Sequence, residues 1–187
     1  MYPPNFSTFV TVDDLSEKLE GASRPGHFRG VSTVVTILFN TVRPDFGFFG
    51  QKDAQQVAIV QRLTRDLGFE TEIVVLPTVR EKNGLAMSSR NERLSPEQRS
   101  AAGIINGSLK KARARADSGE SNASKIAEMV RSDIEGEPLA TIDYVAVVDH
   151  ETLEPIERIT ENIAMIAVAV RFGEVRLIDN IVLSDSQ

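Results

Sequence analysis

The sequence predicts an α/β chain: part of a doubly wound domain with parallel strands, followed by a small α+β domain. Three observations carry this. An apolar run at Phe46–Phe49, a helical stretch at Ala54–Leu67 and a second apolar run at Glu72–Leu76 give strand, helix, strand, which folds as a right-handed parallel crossover. Beyond Leu94 the texture becomes alanine-rich and Lys/Arg-rich, as in helices. Three β-branched runs then follow, Ile142–Val148, Ile163–Val170 and Val175–Leu183, with Arg171-Phe-Gly-Glu174 between the last two, the pattern of a small antiparallel sheet with a hairpin.

Each element has its own signals. After a polar, loop-like opening, Val31, Val34, Val35, Leu38, Phe39 and Val42 recur at helical spacing, which predicts a helix over 26–42 ended by Arg43-Pro44. Phe46–Phe49 and Glu72–Leu76 are short and continuously apolar, hence expected as buried strands, and Gly68 closes the helix between them. Ser95-Pro96-Glu97-Gln98 reads as an N-cap with proline in the first turn, opening a helix to about Ser118; a second helix, over Ala123–Ile134, follows Gly119. These elements divide into two domains, 1–94 and 95–187.

Composition narrows the function. At 187 residues and 41% hydrophobic the chain can bury a core, and a formal charge of −6 disfavours broad binding to nucleic acid or anionic membrane. A small charged metabolite fits better. The absence of cysteine removes disulfides and thiolate metal sites. MYPPNFSTFV lacks the basic and apolar regions of a signal peptide, and no apolar run is long enough to span a bilayer.

Candidate binding residues sit where α/β folds bind ligands, beyond the carboxyl ends of the parallel strands. In FGQKDAQQ, Gly50 allows close approach of a ligand to backbone, while Lys52 and the free N–H groups of the following helix favour phosphate. With a helix start near Lys52, Asp53 and Gln56 share that side, so Gln56 offers hydrogen bonds to a second ligand. An ordinary strand-to-helix turn, with Asp53 as cap and Lys52 solvated, would look the same. LAMSSRN, Leu85 to Asn91, supplies hydroxyls, backbone N–H groups and a guanidinium suited to polyphosphate, expected beside Gly50, or else a polar linker. SRPGHFRG places Arg24, His27 and Arg29 either in a loop closing over an anion or in a solvated helix entry. With only His27 and His150 there is no histidine metal cluster, and His150 reads as a surface turn.

RPGHFRG, FGQKDAQQ, PTVRE, GLAMSSRN and RLIDN, in that order and context, resemble the pantoate-beta-alanine ligase family from Met1 almost to Leu183. The resemblance implies a nucleotidyltransferase-like Rossmann domain followed by a smaller α+β domain. It implies a cytoplasmic homodimer that makes pantoyl adenylate from ATP and pantoate with Mg2+, then transfers the pantoyl group to beta-alanine, giving pantothenate and AMP. By motif, Gly50, Gln51, Lys52 and Asp53 resemble the ATP segment. Val79, Met87, Ser88, Ser89 and Arg90 resemble the remaining ATP contacts, and Gln56 resembles a pantoate-binding glutamine. Lys52 and Arg90 would stabilise charge on the departing pyrophosphate. Arg24 and His27 would belong to an active-site loop, and no residue of this chain resembles a metal ligand.

Met1-Tyr2-Pro3 resembles an internal segment of the family. The family's His-x-Gly-His motif, a second pantoate-binding glutamine and its magnesium-binding acidic residues therefore have no counterpart here, and the chain is expected to be a fragment or truncated product. Weak ATP binding, little pantothenate synthesis by the chain alone, and exposed apolar strand surface follow. The alternatives are a non-catalytic binding or dimerisation module, or another adenylyl- or cytidylyltransferase of related fold.

Overall fold

The computed structural model describes residues 1–160 and 164–183. They form two compact units, Met1–Leu76 and Pro77–Gln187. The segment 77–94, expected to complete the first domain, belongs to the second unit, because its side chains bond to the strands and helices there.

In the first unit the order is α1 (Leu19–Ser23), α2 (His27–Val42), β1 (Phe46–Gly50), a 3-10 turn at Gln51–Asp53, α3 (Ala54–Asp66) and β2 (Glu72–Leu76). The strands are parallel, with Phe46 opposite Glu72 and Gly50 opposite Leu76. The parallel pairing across α3 is therefore as expected, while α1 lies in a stretch expected as loop. Arg43 takes a left-handed conformation (φ 51°) and ends α2 before Pro44. Gly68, at φ 66°, turns the chain after α3, and Phe69 N–H donates to the Thr64 carbonyl at 3.0 Å. Val35 and Phe39 of α2 pack with Val60 and Leu63 of α3, joined by Phe49, Phe69 and Ile73.

That packing uses one face of the sheet. Alternation in β1 turns Gly47 and Phe49 toward the helices and Phe46 and Phe48 away. A Cβ on Gly47 would stand 3.3 Å from Phe39 and Ile73 atoms, so this residue lets helix and sheet close up. The strands, read as buried from their apolar runs, are covered on one face only: Phe46 is 53% exposed, Phe48 63% and Leu76 47%, the exposed apolar strand surface that the resemblance implied. A continuous apolar run looks identical whether helices cover one face or two.

The second unit opens with a narrow ladder over residues 79–87 and a 3-10 turn at Ser89–Arg93. Next come α4 (Pro96–Ala101), α5 (Ile104–Asp117), α6 (Ala123–Glu135), β3 (Ala140–Asp149), β4 (Ala164–Phe172) and β5 (Val175–Leu183). The three strands form an antiparallel sheet in the order β3-β4-β5, with Gly173 at φ 59° in the two-residue hairpin turn. Ile163, expected to begin β4, lies outside the described residues. β4 is buried along its length except at Arg171. Its Ala164, Ile166, Val168 and Val170 share a core with Ile105 and Leu109 of α5 and Ile126, Val130 and Ile134 of α6. Here the single helix expected from Ser95 to Ser118 is two. Gly103 N–H bonds back to Ser100 and Ile105 N–H to Ala102, a tightened 3-10 kink. A Cβ at Gly103 would meet the Asn83 carbonyl at 3.0 Å, so the kink follows the ladder loop that packs there. The expected Ser95 N-cap is formed and is a full capping box, with Ser95 Oγ accepting from Gln98 N–H at 3.2 Å and Gln98 Oε1 accepting from Ser95 N–H at 3.0 Å.

Candidate functional site

β1 delivers the first group of residues. Gly50 ends the strand, Gln51, Lys52 and Asp53 form the 3-10 turn, and α3 begins at Ala54. No heavy atom lies within 4 Å of the position a Gly50 Cβ would take, so a ligand has room beside that backbone. Lys52 Nζ stands 3.5 Å from an Asp53 carboxylate oxygen, with Lys52 20% and Asp53 51% exposed. Asp53 precedes the helix without a side-chain cap, which removes the simple capping role as the reason for an aspartate there.

The adjacent glutamines have different fates. Gln55 is buried, its Nε2 donating to the carbonyls of Leu15 and Lys18, both at 2.7 Å, while its Oε1 accepts from Glu20 N–H at 2.9 Å. It pins the loop before α1 onto α3. Gln56, the candidate for a second ligand, is half-buried and makes no side-chain hydrogen bond among the described residues. A backbone-satisfied Gln55 leaves Gln56 as the amide that can serve a ligand. In the sequence the doubled glutamine is the one visible signal of Gln55.

The SRPGHFRG residues enter α2. Arg24 is exposed, His27 opens the helix after Gly26 (φ 79°) with its ring 4.9 Å from that of Phe28, and the Arg29 guanidinium lies over the Phe9 ring at 4.4 Å. Arg29 is thus held by a cation–π contact on Phe9, while the residue remains exposed.

The second unit holds the other group. Met87 N–H donates to the Val79 carbonyl at 2.9 Å, Arg80 bridges Ala86, and Glu81 N–H donates to the Leu85 carbonyl at 2.8 Å. This antiparallel register sets Val79 and Met87 side by side, at 67% and 57% exposure. Ser88 caps the following 3-10 turn, its Oγ accepting from Arg90 N–H at 3.3 Å; Ser89 is exposed. Arg90 donates to the Arg176 carbonyl on β5 at 3.2 Å. Two exposed apolar side chains beside hydroxyls and a guanidinium can take a flat base on one side and phosphate on the other.

Glu81 fastens this segment from below. Its carboxylate accepts from Arg99 Nε at 2.8 Å and Arg99 Nη2 at 2.9 Å, and from Asn91 Nδ2 at 2.7 Å. The Arg99 hydrogen bond, followed by that of Asn91, holds the Glu81 carboxyl below the usual glutamate range. Asn91 also donates to the Ala86 carbonyl at 3.0 Å. Neither Glu81 nor Arg80 was singled out as a site residue from the sequence, although both stand in PTVRE. His150 lies in the turn after β3, as expected, where the Asp149 carboxylate accepts from the N–H groups of Glu151 and Thr152. Among the described residues no three His, Cys, Asp or Glu side chains are grouped to hold a metal ion, and no helix is long and apolar enough to cross a membrane.

A family model of pantoate-beta-alanine ligase matches residues 1–182. Pantothenate synthetase of Pelotomaculum thermopropionicum is 53% identical over 183 residues, covering 98% of this chain and 64% of that protein. Its counterpart from Chloroflexus aurantiacus is 52% identical over 180 residues, covering 96% and 64%. The crystal structure of pantothenate synthetase from Thermus thermophilus superposes with a TM-score of 0.93 at 45% identity, covering 98% of this chain and 66% of that one. A Francisella tularensis pantoate-beta-alanine ligase, crystallised in complex with beta-gamma ATP and beta-alanine, superposes at 0.71 with 31% identity, covering 97% and 60%. The chain thus spans a little under two thirds of the length of the curated relatives it matches, and over that span it belongs to the pantoate-beta-alanine ligase family.

Proposed function

We propose that this chain serves pantothenate biosynthesis, supplying part of the ATP and pantoate sites for the ATP-dependent condensation of pantoate with beta-alanine through a pantoyl adenylate. The observation that carries the proposal is the family match over 1–182, with Gly50-Gln51-Lys52-Asp53 at the carboxyl end of a parallel strand. The Francisella relative's complex with an ATP compound and beta-alanine supports the choice of substrates. Gly50, Gln51, Lys52 and Asp53 in the first unit, and Val79, Met87, Ser88, Ser89 and Arg90 in the second, are the ATP contacts in this reading.

In the adenylation step the pantoate carboxylate attacks the α-phosphorus and pyrophosphate leaves. Lys52 and Arg90 stabilise the charge that builds on the leaving oxygens, a role that needs fixed cations rather than a proton donor. Gln56 orients pantoate through its amide, which can donate to an acid oxygen and accept from a hydroxyl. Beta-alanine then attacks the acyl carbon and AMP departs. Mg2+ is assigned to the triphosphate. The described residues offer it no cluster of three ligands, and it would lend positive charge to the phosphates when bound. The protein works in the cytoplasm as a homodimer, without nucleic-acid or membrane partners.

The exposed Phe46, Phe48 and Leu76 face favours one second reading, a non-catalytic binding or dimerisation module. Titration of pantoate into the chain in the presence of ATP separates the two. The primary reading expects pantoate to bind in preference to acids lacking the hydroxyl, and Gln56→Ala to weaken it about tenfold, one lost hydrogen-bond pair. Equal binding of pantoate by parent and Gln56→Ala contradicts it.

A further inference from the structure

PTVRE and RLIDN meet in the second unit. Arg80 Nη1 donates to Asp179 Oδ2 at 2.6 Å and Nη2 to Oδ1 at 3.1 Å, a two-point clamp, while Nη1 also reaches the Gly84 carbonyl at 3.1 Å. The Asp179 side chain is 2% exposed, and its Oδ1 also accepts from Asn180 N–H at 2.9 Å, so the acceptor is rigid. Arg80 is thereby tied at once to β5 and to the turn of the ladder. That turn has little latitude, since Gly84 sits at φ 91° with the Asn106 amide filling the place of a Cβ.

Alternation along the ladder puts Arg80 and Ala86 on one face and Val79 and Met87 on the other. Ala86 is buried and Arg80 clamped, so the inner face is fixed and the outer apolar pair is presented by it. The few backbone bonds alone would not hold so short a ladder in one geometry. The segment that follows shares the Glu81, Asn91 and Arg99 bonds with the ladder, but Arg90 is also held on the Arg176 carbonyl of β5. The Ser-Ser-Arg run thus has one anchor that does not pass through Arg80.

We propose that Arg80, clamped by Asp179, is the positioning residue that holds Val79 and Met87 as a seat for a purine ring, leaving phosphate affinity to the separately anchored residues. This rests on the reading of Val79 and Met87 as ATP contacts under the proposed function, with the pair taken here as the adenine side. A residue that merely kept the unit folded would, when changed, weaken every ligand alike; a positioning residue weakens only ligands that carry the base.

Calorimetric titration of the full chain with ATP and with inorganic tripolyphosphate reads this difference. Arg80→Lys keeps a cation against the buried carboxylate but has no planar fork to span both oxygens. It is expected to weaken ATP about tenfold while changing tripolyphosphate less than about twofold. Met87→Ala, at an exposed position, should shift the same ratio in the same direction. If circular dichroism shows Arg80→Lys unfolded, Asp179→Asn, which keeps the shape and one acceptor, is judged by the same ratio. Equal weakening of both ligands, or none, overturns the positioning role while leaving the ATP assignment standing. A parent chain that binds ATP no better than tripolyphosphate overturns the adenine assignment and the inference with it.

Discussion

Two neighbouring glutamines show what single residues can and cannot reveal. Gln55 satisfies two carbonyls of the loop before α1 and the Glu20 N–H within that helix, whereas Gln56 keeps its amide available; in the sequence they are the same letter twice. Replacing Gln55 by alanine orphans buried backbone groups and should cost about 2–4 kcal/mol in urea unfolding, with an unchanged slope against denaturant. A loss under about 0.5 kcal/mol would show that the loop is not held this way. Glu81 carries a pH signature. The Arg99 and Asn91 hydrogen bonds depress its folded-state pKa, so its stabilisation is present above the usual glutamate range and disappears as pH falls through the depressed value. The melting temperature of the parent should therefore exceed that of Glu81→Gln most clearly near neutrality, and the gap should close as pH falls below the usual glutamate range and through the depressed value. A gap independent of pH would mean that shape rather than charge holds the segment.

At the scale of elements, type and order were legible, because period and punctuation are local properties. β1, α3 and β2 form the crossover, Ser95 caps α4, and Gly173 turns the terminal hairpin. What was not legible depends on packing partners. The kink at Gly103 answers to Asn83, about twenty residues upstream, and the exposed face of β1 answers to which side the helices cover. The two sheets should accordingly respond differently to substitution. Ile166→Ala in β4, the middle strand of its sheet, removes a fully buried side chain and should cost about 2–5 kcal/mol. Phe48→Ser on the open face of β1 should change stability by less than about 0.5 kcal/mol. Chemical denaturation of both variants checks the pair, and a large loss from Phe48→Ser would mean that its face is covered in solution. Ser95→Ala, which removes the capping-box acceptor, should cost about 1 kcal/mol by the same measurement.

For the whole molecule, the acidic balance and the position of Gly50-Gln51-Lys52-Asp53 at a strand end pointed toward a small charged ligand, and five motifs in order pointed to the family that the comparisons show. Division of the chain was less legible. The compact units part at Leu76 rather than near Leu94, because Arg80, Glu81 and Arg90 bond to β5, α4 and one another's neighbours, long-range contacts that no local pattern records. The account's central claim is that the chain binds ATP and that Lys52 grips the phosphates. Calorimetric titration of ATP into the parent and into Lys52→Ala tests it most directly. Losing one charge-assisted phosphate contact should cost about 1.5–3 kcal/mol, roughly a ten- to 150-fold weaker Kd, with the fold unchanged. Equal ATP affinity for the two proteins would contradict the claim.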